Sequence, residues 1–230
     1  MSPFLAAIYF KHGPTIKAIL QDILQEQSSN FCKDNAVSSI QDFVTYETLT
    51  LALRLANFDT FEFLYNAAPN EEIKMNGNWL LLSALEQRQK DVFKTLVNDP
   101  RVELTHRRSD SQYEPRGRTI LTEIARRGDV ESLRSLLGLL ETNRRKEIMT
   151  LLHDKGDEEQ CSPLWYAADW GHTEVVEALC SLDPDMIRPQ LLCLGKFGIH
   201  IVATAARGGD RRIMLALLKV CVGCAMGTHS

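Results

Sequence analysis

The sequence is poor in the signatures that announce chemistry. It has no GxxxxGK[ST] loop, no GxGxxG, no HExxH, no GxSxG and no calcium-loop pattern. The glycine-loop, metal-helix and nucleophile-elbow devices that hold phosphate, zinc or an acyl group in those classes are therefore missing. Long apolar runs are missing too. No stretch reaches the roughly 18 to 20 residues of a membrane helix, and the most apolar late stretch, residues 213–226, is interrupted by Lys219. The start, MSPFLAAIYFKHG, has no basic residue ahead of its short apolar run, so it does not read as a secretory signal. Six cysteines spread over 230 residues are too sparse for a disulfide scaffold, and reduced thiols in a cytoplasmic setting are expected. A net charge of −4 is not that of a strongly basic nucleic-acid binder. What is present is ordinary: 44% hydrophobic and 24% charged residues, enough to build a core and too apolar for a disordered chain.

The polar residues offer little catalytic pattern. His12, His106, His153, His172, His200 and His229 lack ligand spacing, and Cys221 and Cys224 form a lone CxxC without a second pair. No metal or cofactor is expected. Cys180 and Cys193 read as core thiols. His153 and Asp154 with Cys161 or Cys193 make a conceivable nucleophilic set whose geometry the spacing leaves open.

Internal repetition is the strongest signal. Residues 119–137 (TILTEIARRGDVESLRSLL), 162–180 (SPLWYAADWGHTEVVEALC) and 200–218 (HIVATAARGGDRRIMLALL) align without gaps. Each has small or apolar residues at positions six and seven, glycine at ten, a short polar pair and then an apolar segment. Small residues let a short helix lie close to its neighbours. Gly128, Gly171 and Gly209 are expected to end that helix in a left-handed turn that excludes most side chains. Residues such as Val175, Val176 and Leu179 then give a second helix its apolar face. Weaker copies begin at 2, 47 and 79. Frames starting at 2, 47, 79, 119, 162 and 200 are spaced by 45, 32, 40, 43 and 38 residues.

These residues resemble the ankyrin repeat. SPLWYAADWGHTEVVEAL follows the TPLHxAAxxGHxxVVxxL pattern of that family, with Trp165 in place of the usual histidine. The resemblance implies an all-α solenoid of about six repeats, with β-turn fingers, forming one domain over residues 1–230 that could belong to a longer protein. Spacings above the usual ~33 residues put extra length into the loops and second helices. The family also places a finger-tip glycine two residues before each frame. Gly77, Gly117 and Gly198 occupy that slot, Gln160 and Thr45 replace it in two frames, and Asp157 takes the turn-opening position.

The same resemblance implies that positions eight and nine of each frame face a concave surface. They are Tyr9 and Phe10, Arg54 and Leu55, Glu86 and Gln87, Arg126 and Arg127, Asp169 and Trp170, Arg207 and Gly208. Phe10 and Leu55 read equally well as buried. Residues 101–118 add five arginines against three acids, with Arg116 and Arg118 nearest the fourth frame. An acidic finger follows, with Asp157, Glu158 and Glu159, so a bipolar groove selecting a partner by charge is expected. A solvated basic loop is the plainer reading of the same run. The candidate partner-binding residues are Tyr9, Arg54, Glu86, Arg116, Arg118, Arg126, Arg127, Asp169, Trp170 and Arg207. The expected function is a non-enzymatic, monomeric module for a protein partner, with neither membrane nor nucleic acid as target. The alternative is the targeting part of a host-directed bacterial effector or enzyme.

Overall fold

The computed structural model describes residues 44–54, 58–107, 116–195 and 198–226. The first frame, with Tyr9 and Phe10, lies outside them, as does Leu55. The chain forms two compact units, Met1–Glu103 and Leu104–Ser230. Among the described residues regular structure is helical, apart from an isolated antiparallel bridge between Leu194 and His200.

The first unit contains α1 (Tyr46–Arg54), α2 (Phe58–Ala67), α3 (Asn70–Glu86) and α4 (Lys90–Asn98). α1 packs on α2 and α3, and α4 on α2 and α3. Leu49, Leu53, Phe61, Leu64, Leu80, Leu81, Phe93 and Leu96 make the shared core. Each fully buried side chain of this kind contributes about 1.5–3 kcal/mol. A polar cluster closes the unit. The Tyr65 hydroxyl donates to Asp99 Oδ2 at 2.8 Å, and Arg101 grips the same carboxylate through Nε and Nη2. The guanidinium also lies 5.3 Å from the Tyr65 ring centroid.

One sequence expectation fails here. Gly77 is not a finger tip but an interior residue of α3, buried against Val102. A Cβ at this position would meet Val102 Cγ2 at 2.9 Å. Close packing, rather than a turn, is what glycine supplies at this site.

In the second unit the frames appear as helix pairs: α5 (Ile120–Arg127) with α6 (Val130–Leu137), α8 (Pro163–Asp169) with α9 (Thr173–Cys180), and α11 (Ile201–Gly208) with α12 (Arg211–Met226). First helices pack on first helices, α5 on α8 and α8 on α11. Second helices do the same, α6 on α9 and α9 on α12. The long spacings have a structural cause beyond loops. A 3-10 turn (Gly138–Glu141) and α7 (Arg145–Leu152) fill one interval, and α10 (Pro184–Leu191) fills the next. Gln190 on α10, fully buried, joins three segments. Its Nε2 donates to Leu152 O at 2.7 Å, its Oε1 accepts from Leu164 N at 2.9 Å, and its carbonyl accepts from Ser162 Oγ.

Candidate interaction surface

The ends of the first helices are built by backbone geometry that the frame anticipated. Gly128, Gly171 and Gly209 have φ of +69°, +72° and +75°. After α5 the amides of Gly128 and Asp129 turn back to the carbonyls of Ala125 and Ile124. After α8 those of Gly171 and His172 turn back to Ala168 and Ala167. This closure satisfies carbonyls that a helix end leaves open. α3 ends the same way, with Arg88 and Gln89 donating to Leu85 and Ala84, but here Arg88 itself takes φ +55°. At the finger slot, Gly117 and Gly198 have φ of +83° and +69°, and Gln160 adopts +58° without being glycine.

Side chains then tie each repeat to its neighbour. Ser162 Oγ accepts from Trp165 N at 3.2 Å, so the Ser-Pro start is a helix N-cap followed by proline at the first turn. The Trp165 indole N–H donates to Ile199 O at 3.2 Å, and its ring lies against Gly195, where no Cβ would fit. His172 Nε2 is 2.9 Å from the carbonyl of Arg126, one helix pair earlier. Thr173 Oγ1 donates to Asp210 Oδ2 at 2.6 Å, and Asp210 in turn caps α12. Asp157 accepts from the amides of Glu159 and Cys161 and from the Tyr166 hydroxyl. Adjacent fingers are joined by the Glu158 amide, which donates to Arg116 O at 3.0 Å.

These observations coincide with the family comparison. A family model for ankyrin repeats matches residues 101–190 in three copies. Residues 101–190 of this chain carry ankyrin repeats. No curated protein matches the sequence. The matched region includes the frames at 119 and 162, and the ankyrin first helices α5 and α8 present the candidate surface residues. Ankyrin repeats mediate protein–protein interaction and are typically non-enzymatic.

On this surface Trp170, at the end of α8, is 58% exposed. Asp169 beside it pairs with Arg207 at the end of α11, so two expected residues from neighbouring repeats meet. Arg126 and Arg127 converge on one carboxylate. Glu123 Oε2 lies 3.0 Å from Arg126 Nη2 and 3.7 Å from Arg127 Nε. Its Oε1 lies 3.2 Å from Arg118 Nη1. Arg118 is only 3% exposed, so this candidate belongs to the interior, where it offsets a buried Glu123. Arg116 is exposed on its finger. Arg54 and Glu86 are exposed in the first unit.

The basic run 101–118 is less available than its sequence suggests. Arg107 donates to Gly117 O, Gly156 O and Asp154 Oδ1, stapling two fingers. Arg101 is held by Asp99 in the first unit. Residues 108–115 lie outside those described. Charge complementarity within the fold consumes much of what sequence alone assigns to a partner.

The cysteine chemistry is equally constrained. Cys193 Sγ lies 2.9 Å from Lys155 O and 3.2 Å from Pro189 O, two carbonyls that compete for its one proton. Burial, then the nearby Asp154 carboxylate, pushes this thiol up and keeps it protonated. An activated nucleophile needs the opposite shift. The thiol borders an open cavity of about 780 Å³ whose rim includes His153, Lys155, Arg188, Leu192 and Leu194. The exposed Leu192 and Leu194 were missed by sequence reasoning, because they fall between frames where no periodicity marks them. Among the described residues no three His, Cys, Asp or Glu side chains gather to hold a metal, and no helix is long and apolar enough to cross a membrane.

Proposed function

We propose that this chain is a non-enzymatic interaction module that holds a protein partner on the first-helix ends of its second unit. The observation that carries the reading is Trp170, an exposed indole at the end of the best-matched repeat, beside the Asp169–Arg207 pair. Large aromatic and arginine side chains are the types that dominate binding energy at interfaces. Arg126, Arg127 and Arg116 extend the same chemistry, and the rigid turns beneath them keep the ordering cost of docking low. The favoured partner surface offers a pocket or platform for an indole and carboxylates for the arginines. Arg118 is left out because its charge is internal.

The test is calorimetric titration of a partner captured with the intact chain. Trp170→Ala combined with Arg127→Glu is expected to weaken binding by roughly 30-fold or more, with a melting curve close to the parent's. Unchanged affinity in a folded double variant would place the binding surface elsewhere.

A further inference from the structure

α12 carries a face that stays exposed among the described residues of the second unit. Ile213, Leu217 and Val220 are buried on one side of it. At 100° per residue, Leu215, Leu218 and Val222 fall on the opposite side within an arc of about 60°. They are 46%, 42% and 57% exposed. Singly exposed leucines are common, but three in one stripe mark a surface that excludes water when something covers it.

The repeat frame indicates what kind of object fits. The residues of α9 that correspond to Leu215 and Leu218, 38 positions earlier, are Glu177 and Cys180. Both face α12: Glu177 pairs with Arg212 at 2.7 Å, and Cys180 lines a groove shared with Arg212 and Leu215. The register that α9 turns toward the next second helix is thus the register in which α12 displays leucine. A helix lying beside α12, as α12 lies beside α9, covers this stripe.

Charge selects among helices. α12 contains Arg211, Arg212 and Lys219 and no Asp or Glu. Arg212 is engaged by Glu177, and Asp210 caps the N-terminal turn. Arg211 and Lys219 are exposed alongside the apolar stripe. A second copy of α12 would set like charges together, whereas a helix with flanking carboxylates would complement them. We propose that Leu215, Leu218 and Val222, flanked by Arg211 and Lys219, form a docking face for an amphipathic helix of a partner protein that carries an apolar stripe bordered by Asp or Glu.

Two dye-labelled synthetic helical peptides test this with the full chain. Both carry leucines spaced i, i+3, i+4 and i+7, and they differ only in Glu or Lys on the flanking positions. Fluorescence anisotropy should give binding of the Glu peptide and at least roughly tenfold weaker binding of the Lys peptide. Leu218→Asp should cost the Glu peptide at least roughly tenfold, while Trp170→Ala leaves it unchanged, separating this face from the surface proposed above. Because Leu218→Asp could disturb folding, circular dichroism accompanies it, and Arg211→Glu with Lys219→Glu provides a second variant that should reverse the peptide preference. Equal binding of the two peptides, or indifference to both variants, overturns the proposal. So does light scattering that finds a dimer which Leu218→Asp converts to monomer. Binding to phosphatidylserine vesicles that Leu218→Asp abolishes, with neither peptide bound, also overturns it.

Discussion

Arg88 and Gln160 sit at φ of +55° and +58°, in a conformation where an L side chain costs about 1 kcal/mol. Both occupy slots that glycine fills in sister repeats. Arg88→Gly and Gln160→Gly should therefore each raise unfolding free energy by several tenths to about 1 kcal/mol in urea titration, since relief of strain exceeds the added flexibility of the unfolded chain. A loss of stability in either would mean that its side chain contributes contacts worth more than the strain. The thiols make a second expectation at this scale. Burial, with the neighbouring Cys221, pushes Cys180 from 9.0 up to about 12. At pH 8 its alkylation in the folded chain should run about a thousandfold slower than in urea, because the thiolate is the nucleophile. Mass spectrometry of peptides after timed iodoacetamide exposure measures this, and fast labelling of native Cys180 would contradict the upward shift of its thiol.

The turns between helices carry a comparison that isolates packing from backbone preference. Gly128 and Gly171 have nearly equal φ, yet a Cβ at Gly128 would meet His172 Nδ1 at 2.5 Å while one at Gly171 meets nothing within 4 Å. Gly171→Ala should cost about 1 kcal/mol, the conformational penalty alone. Gly128→Ala should cost about 2 kcal/mol or more, because the imidazole that reaches Arg126 O must also shift. Equal costs would show that His172 moves freely. These elements also mark what could be read from sequence. Helix pairs and positive-φ glycines were legible because each follows from a local rule acting on adjacent residues. Gly77 was not, since a glycine that admits Val102 looks the same in sequence as a glycine that turns the chain. α7 and α10 escaped because their burial comes from segments far along the chain, as Gln190 illustrates with its bonds to Leu152 and Leu164. The arginines of 101–118 were over-read for a related reason. Whether Arg107 meets a partner protein or Asp154 depends on a fold that places residues 47 apart within 2.6 Å.

At the scale of the molecule, the protonation of buried groups sets an alkaline limit. Tyr65 and Tyr166 are both held above their ordinary 10.0, by burial first and then by hydrogen bonds to Asp99 and Asp157. Cys180 shifts in the same direction. A folded-state pKa raised in this way contributes stability that is whole below the unfolded value and declines as pH rises past it. Thermal stability should thus hold steady to about pH 8.5 and fall between 9 and 12, and a flat profile to pH 12 would contradict these placements. The division into two units adds that unfolding is a property of each unit and need not be a single transition.

The bonds between repeats, from His172 to Arg126, from Trp165 to Ile199 and from Thr173 to Asp210, all run to an immediate neighbour. Such a ladder bears tension unevenly. Drawn apart by its ends in an optical trap, the second unit should pay out length in steps of one repeat, about 40 residues or roughly 140 Å of chain each, as a seam gives way stitch by stitch.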